Sequence, residues 1–166
     1  MIGWVLWLFV ALHLYLLDGI LKQILVLPGG LALAPDLTVC IGLFLGLFAR
    51  PSALPGLLFC AALSRSVFLP GSVFWHMLVL GLPVAMLLPL RVVFSARSPL
   101  WQCAAAGFLA YLIPRLAGLL FRLTAQGDAT AHTTAAEVFV AMCLVPLMTW
   151  VLRVVPPLSL FEEQPR

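Results

Sequence analysis

The fold of this chain is decided by residues 34–91, which read APDLTVCIGLFLGLFARPSALPGLLFCAALSRSVFLPGSVFWHMLVLGLPVAMLLPLR. Three apolar runs follow one another here, and only the Arg50-Pro51 pair and the Ser64-Arg65-Ser66 group separate them clearly. In lipid every backbone polar group needs an internal partner, and a helix supplies all of these partners itself. The stretch therefore predicts transmembrane helices that reverse direction in very short loops.

The composition of the whole chain agrees with a membrane protein. Of its 166 residues, 64% are hydrophobic and 9% are charged, whereas soluble domains average roughly 25% charged residues. A soluble domain of this length has too little interior to bury so much apolar surface. The fold class that we predict is therefore all-α, a polytopic transmembrane bundle of about six helices.

The apolar runs and the turn signals between them place the predicted spans. They are Gly3–Leu21, Pro35–Ala49, Ser52–Ser64, Ser72–Leu90, Leu100–Leu123 and Ala135–Val155. The second span is shorter than the roughly 20 residues that a membrane-crossing helix needs, so it must lie in thinned lipid or be covered by its neighbours. We expect one transmembrane domain over residues 1–155, followed by a cytoplasmic tail, residues 156–166, that is disordered.

The basic residues indicate how the spans are oriented. On this topology, the side of the two termini holds Arg50, Arg91, Arg97, Arg153 and Arg166, and the opposite side holds Lys22, Arg65 and Arg122. Lysines and arginines in short loops favour the cytoplasmic side of a membrane. We therefore expect both termini to lie in the cytoplasm.

Two charged residues inside the predicted spans need a partner. Arg115 lies about 5 Å from the centre of span five, where inserting an arginine costs roughly 2.5 to 3.5 kcal/mol. It should face the bundle interior or a wet cavity. Asp18 is the only acidic residue inside another span in the same half of the membrane. We therefore predict a buried Asp18–Arg115 pair, with His76 or a carbonyl freed by Pro114 as the alternative partner of the arginine.

The other charged residues of the outer half are interpreted as interfacial side chains that reach water. They are Lys22, Asp36, Arg65 and Arg122. Gly42 and Gly46 form a small-residue pair on the second span, which would allow close approach of a helix of this chain or of a partner.

The sequence lacks the motifs of several enzyme classes. It has no Gly-x-Ser-x-Gly, His-Glu-x-x-His or phosphate-binding glycine motif. His13 and His76 could in principle hold a haem, but their expected depths differ, and packing or interfacial histidines are the more common case. We expect no enzyme activity, no cofactor, no metal site and no nucleic-acid binding.

The stretch quoted first resembles a known family. Ala34-Pro35-Asp36-Leu37 begins a short leucine-rich span, residues 47–51 end it, and a Pro70-Gly71 turn precedes a long span. This order is similar to MreD, the rod-shape-determining membrane protein of bacteria, over residues 35–94. MreD-like sequences usually have an acidic residue near the end of the third span, whereas this chain has Ser64-Arg65-Ser66. This chain therefore lacks the acidic residue that would take part in a partner contact at that position, which implies that it is a divergent member of the family.

The resemblance implies a non-enzymatic subunit of the cell-elongation (rod-shape, peptidoglycan synthesis) complex in the bacterial cytoplasmic (inner) membrane. Such a subunit would bind an MreC-like bitopic membrane protein and, through it, the RodA glycosyltransferase, its transpeptidase and MreB. We expect lateral contact within the lipid bilayer at Gly42 and Gly46.

The resemblance also implies a bundle similar to the S components of energy-coupling-factor transporters. The alternative function is therefore binding of a small molecule, such as a vitamin, in an outward-opening pocket, for which Trp75 and His76 are the obvious recognition groups. An ion-coupled carrier is disfavoured because it needs buried carboxylates near mid-membrane, and Asp18 is close to the end of its span.

The topology can be tested by cysteine labelling. We expect an impermeant thiol reagent to modify a cysteine introduced at Asp128 in intact cells, because that polar loop lies on the side with fewer basic residues. A cysteine introduced at Ser95 should stay unmodified until the membrane is permeabilised. Labelling of position 95 but not 128 from outside would show that the orientation is reversed.

Overall fold

The computed structural model describes residues 2–24, 36–93, 98–123, 134–154 and Phe161. These residues form six helices, α1 (Ile2–Ile24), α2 (Leu37–Leu47), α3 (Leu54–Phe68), α4 (Val73–Val93), α5 (Pro99–Leu123) and α6 (Ala135–Val154). In this part of the chain, four helices are long and apolar enough to cross a membrane, namely α1, α4, α5 and α6. The predicted all-α membrane bundle is confirmed. The loops over residues 25–35, 94–97 and 124–133 lie outside the described residues, and so do positions 95 and 128.

The short helix α2 is the centre of the bundle. All 11 of its residues are buried, and it contacts each of the other five helices. Those helices surround it in the order α1, α3, α4, α5 and α6, each packed on the next. A helix that is apolar all round is stable in this form only when its whole circumference is covered. Of the two explanations for the short second span, the structure therefore shows cover by neighbours.

Glycines let neighbouring helices of the bundle approach one another closely. A Cβ atom at Gly46 would lie 2.8 Å from Leu87 Cδ1 and 3.2 Å from Leu87 Cβ on α4. A Cβ atom at Gly42 would lie 3.4 Å from Leu109 Cδ1 on α5, and one at Gly107 would lie 2.7 Å from Met142 Cγ on α6. Small residues thus serve packing within this chain.

The predicted partner-binding face at Gly42 and Gly46 is therefore wrong. Both glycines are buried under the chain's own helices, because α2 is the central helix and has no free side. A partner helix must bind elsewhere.

Helix α3 differs from the predicted third span at both ends. It starts at Leu54 with Pro55 in its first turn, where the missing N–H would have had no helical partner in any case. It continues through the Ser64-Arg65-Ser66 group to Phe68, and ends at a turn in which Gly71 has a φ of 123°. That backbone region favours glycine. The extension places Arg65 in the last turn of the helix and not in a loop.

Aromatic side chains join the beginning of α1 to its surroundings. The Trp7 indole donates a hydrogen bond of 3.1 Å to the carbonyl of Leu57 on α3. The ring of Phe161 lies 4.8 Å from that of Trp4, and its carbonyl accepts a hydrogen bond of 2.9 Å from the Arg50 N–H. The predicted disorder of the tail therefore does not hold at Phe161, while residues 155–160 and 162–166 lie outside the described residues.

The packing of α2 on α4 can be tested with a single methyl group. We expect Gly46→Ala to lower the thermal stability of the detergent-purified protein, because the new Cβ would press on Leu87 Cβ and overpacking costs about 1 to 3 kcal/mol. Gly81→Ala is the matched control, since its Cβ would meet only Leu58 Cδ1 at 3.8 Å. Equal melting temperatures for the two variants would contradict this description of the α2–α4 contact.

Candidate functional site

A cleft lies where the end of α1, the start of α2 and the end of α3 meet. Its volume is about 380 Å³. The polar side chains that line it are those of Tyr15, Asp18, Lys22, Gln23, Asp36, Thr38 and Arg65. Leucine, isoleucine and phenylalanine side chains line the rest, at Leu16, Ile20, Phe68 and Leu69. The cleft is at the end of the bundle that the arginine distribution predicts to be outside.

The carboxylate of Asp18 connects α1 to α2. Its Oδ1 atom accepts a hydrogen bond of 3.0 Å from the backbone N–H of Leu37, the first residue of α2. The Asp36 side chain accepts one of 2.9 Å from the N–H of Thr38. The first N–H groups of a helix have no partner within the helix, and a buried helix cannot leave them to water. Two carboxylates, one of them from another helix, thus cap α2.

Lys22 connects the same two carboxylates. Its Nζ atom lies 2.7 Å from Asp18 Oδ2 and 3.5 Å from Asp36 Oδ1. Lys22 follows Asp18 by four residues, a spacing that places both side chains on one face of a helix. α1 continues to Ile24, three residues beyond the predicted end of the span. Lys22 is consequently a helical residue that faces the cluster.

The predicted Asp18–Arg115 pair is wrong in its partner. Asp18 uses both carboxylate oxygens on Lys22 and on α2. Arg115 is an exposed residue of α5, and its guanidinium carbon lies 4.5 Å from the centroid of the Tyr111 ring. The sequence did contain a signal for the observed pair, because Lys22 follows Asp18 by four residues on the same helix.

Arg65 is the least expected member of the cleft. It is only 8% exposed, and its Nε and Nη1 atoms are buried with no hydrogen-bond partner among the described residues. It is therefore not the exposed interfacial side chain that was predicted, because α3 continues past it and the side chain lies against the bundle. A single arginine in an otherwise apolar helical run was the sequence signal for this position.

The two histidines of the predicted spans lie at different places. His13 is the middle residue of α1 and is exposed, with Nδ1 2.8 Å from the carbonyl oxygen of Phe9. His76 is buried in the first turn of α4. Within the residues that the structure describes, no three His, Cys, Asp or Glu side chains form a group that could hold a metal ion.

The opposite end of α2 is closed by arginines. The Arg91 Nη1 atom donates a hydrogen bond of 2.8 Å to the carbonyl of Ala49, just beyond the end of α2. The guanidinium carbon of Arg153 lies 4.2 Å from the centroid of the Phe48 ring. Cations are favourable near the carbonyl end of a helix. The central helix therefore has carboxylates at its start and arginines at its end.

The revised pairing can be tested with double-mutant cycles on the free energy of unfolding in mixed micelles. We expect Asp18→Asn and Lys22→Gln to couple by about 0.5 to 1 kcal/mol, because the two side chains form an ion pair. Asp18→Asn and Arg115→Gln should add within about 0.3 kcal/mol, since they share no partner. Coupling in the second cycle and additivity in the first would restore the pair predicted from the sequence.

No family model, no curated protein and no solved structure matches this chain. Its function is therefore inferred from its residues, from the resemblance that they carry and from the geometry of the bundle.

Proposed function

We propose that this chain is a non-enzymatic membrane subunit of the bacterial cell-elongation complex, which acts by lateral contact with a single-span MreC-like partner. The resemblance of residues 35–94 to MreD supports this role. The lateral contact is inferred from Arg115, a charged residue that is exposed on the outer surface of a membrane-spanning helix.

Arg115 lies in the interior of the membrane by its position in α5. The middle residue of α5 is Tyr111, and Arg115 follows it by one helical turn, about 6 Å further along the axis. From Arg115 to the last residue of the helix, Leu123, the axis rises about 12 Å. A side chain at this depth faces hydrocarbon unless another protein group covers it.

The contacts that this chain offers Arg115 do not offset the cost of that position. An arginine near the centre of a membrane helix costs roughly 2.5 to 3.5 kcal/mol on the insertion scale. The cation–π contact with Tyr111 returns about 0.5 to 2 kcal/mol. Tyr111 is itself exposed, so the pair presents a polar surface to the lipid. A carboxylate or other acceptor on a neighbouring helix would complete it.

The partner that would complete this surface is thus a single transmembrane helix with a hydrogen-bond acceptor near its middle. In the role proposed here it belongs to an MreC-like protein, through which the chain would reach the RodA glycosyltransferase, the transpeptidase and MreB. Both termini of the chain would then lie on the cytoplasmic side of the inner membrane, as the basic residues indicate.

The cleft favours one alternative function. A cavity of about 380 Å³ with several polar side chains is large enough for a small molecule, as expected of an S-component-like subunit that binds a vitamin. Its lining, however, includes apolar side chains that are exposed on the outside of the bundle, among them Ile20 and Phe68. A pocket for a water-soluble vitamin would open to water, so we place this function second.

Co-purification tests the proposed function. We expect the tagged chain, extracted from the membranes of its host, to bring down an MreC-like single-span protein that mass spectrometry identifies. Arg115→Leu should lose most of this partner while the bundle stays folded, because leucine suits a lipid-facing position. Arg122→Gln is the matched control, since Arg122 is an exposed arginine in the last turn of the same helix.

Two results would count against the proposal. Equal recovery of the partner with Arg115→Leu would place the contact on another face. Recovery of no MreC-like protein, together with a vitamin retained by the purified wild-type chain, would favour the S-component-like function.

A further inference from the structure

We propose that the cleft between α1 and α3 binds the head of a zwitterionic phospholipid, with the phosphate on Arg65 and the ammonium group on the carboxylates of Asp18 and Asp36. The acyl chains would lie against the apolar side chains of the cleft. This binding site is on a different part of the bundle from Arg115 on α5, and does not depend on the partner proposed above.

The first reason is the state of the Arg65 side chain. Arg65 lines the cleft, and its buried Nε and Nη1 donors have no partner among the described residues. A buried charged donor without an acceptor is more unfavourable than a neutral one. A planar guanidinium matches phosphate in two parallel hydrogen bonds. An anionic group in the cleft would satisfy these donors.

The second reason is the sum of charges. Both ion pairs between described residues belong to Lys22, which binds the two carboxylates of Asp18 and Asp36. This group of three therefore carries one negative charge in excess, and Arg65 carries one positive charge. A simple anion would leave the cleft with a net negative charge, which is unfavourable in a medium of low dielectric constant. A zwitterion leaves the sum of the charges at zero.

The third reason is the apolar part of the cleft. Leu16 and Ile20 on α1 and Phe68 at the end of α3 line it and are also exposed on the outside of the bundle. A lining that combines charged groups with exposed apolar groups matches a molecule with a charged head and hydrocarbon chains. The headgroup should carry a primary ammonium, because its N–H groups can donate hydrogen bonds to the carboxylates, whereas a quaternary ammonium has no N–H to donate.

Native mass spectrometry of the delipidated chain tests the site with three lipids of equal acyl chains. We expect phosphatidylethanolamine to bind at least about tenfold more tightly than phosphatidylglycerol or phosphatidylcholine. Arg65→Gln should abolish this preference, and Arg122→Gln should keep it, since Arg122 is exposed near the end of α5. Soluble phosphoethanolamine should compete only weakly, because it lacks the chains.

Gly19→Leu provides a second test if Arg65→Gln fails to fold. Gly19 lines the cleft, and no atom lies within 4 Å of a Cβ built there, so a leucine should occupy the cleft without disturbing the packing. It should weaken phosphatidylethanolamine binding by about tenfold or more. Equal binding of the three lipids, undiminished binding by a folded Arg65→Gln or Gly19→Leu variant, or full competition by soluble phosphoethanolamine would each overturn the proposal.

Discussion

The hydrogen bond from the Leu37 N–H to the Asp18 carboxylate is the contact on which the arrangement of the bundle depends. It solves a problem that a short, fully buried helix creates at its ends. The first N–H groups and the last carbonyls of α2 have no helical partners, so other parts of the chain must supply partners where the helix is buried. Asp18 and Asp36 serve the N–H groups, and Arg91 serves the carbonyl of Ala49 at the other end. Charged side chains of the outer helices thereby permit an apolar inner helix, and α2 in turn supplies the surface on which the other five helices pack.

The charged residues of the membrane region are of two kinds, those that have partners within the chain and those that lack full partners. Asp18 and Lys22 have partners within the chain, in the cap on α2 and in the ion pair that supports it. Arg65 and Arg115 are not satisfied to the same degree, one in a buried cleft and the other on the outer surface. Polar groups in a membrane that lack an internal partner are the places where a ligand or another chain gains most by binding. The proposed lipid site and the proposed partner contact both follow from this difference.

The two proposals concern separate surfaces. The cleft is formed by α1, α2 and α3, whereas Arg115 and Tyr111 lie on the exposed side of α5. A subunit that binds a lipid on one side and a partner helix on another could hold that partner at a defined place in the bilayer. Such a role needs no catalytic group, in keeping with the function that the resemblance to MreD implies.

The sequence by itself determined the fold class and the number of helices, because the apolar runs leave the backbone no other way to satisfy its hydrogen bonds in lipid. It also contained the four-residue spacing of Asp18 and Lys22, although the predicted partner of Asp18 was Arg115. Only the tertiary structure decided which helix is central. Gly42 and Gly46 permit close approach to any helix, and composition does not distinguish a helix of the same chain from that of a partner. The environment of Arg65 was likewise decided by the tertiary structure. The local sequence is the same for an arginine at the end of a span and for a buried one. The difference depends on where α3 ends and on which side chains pack beside it.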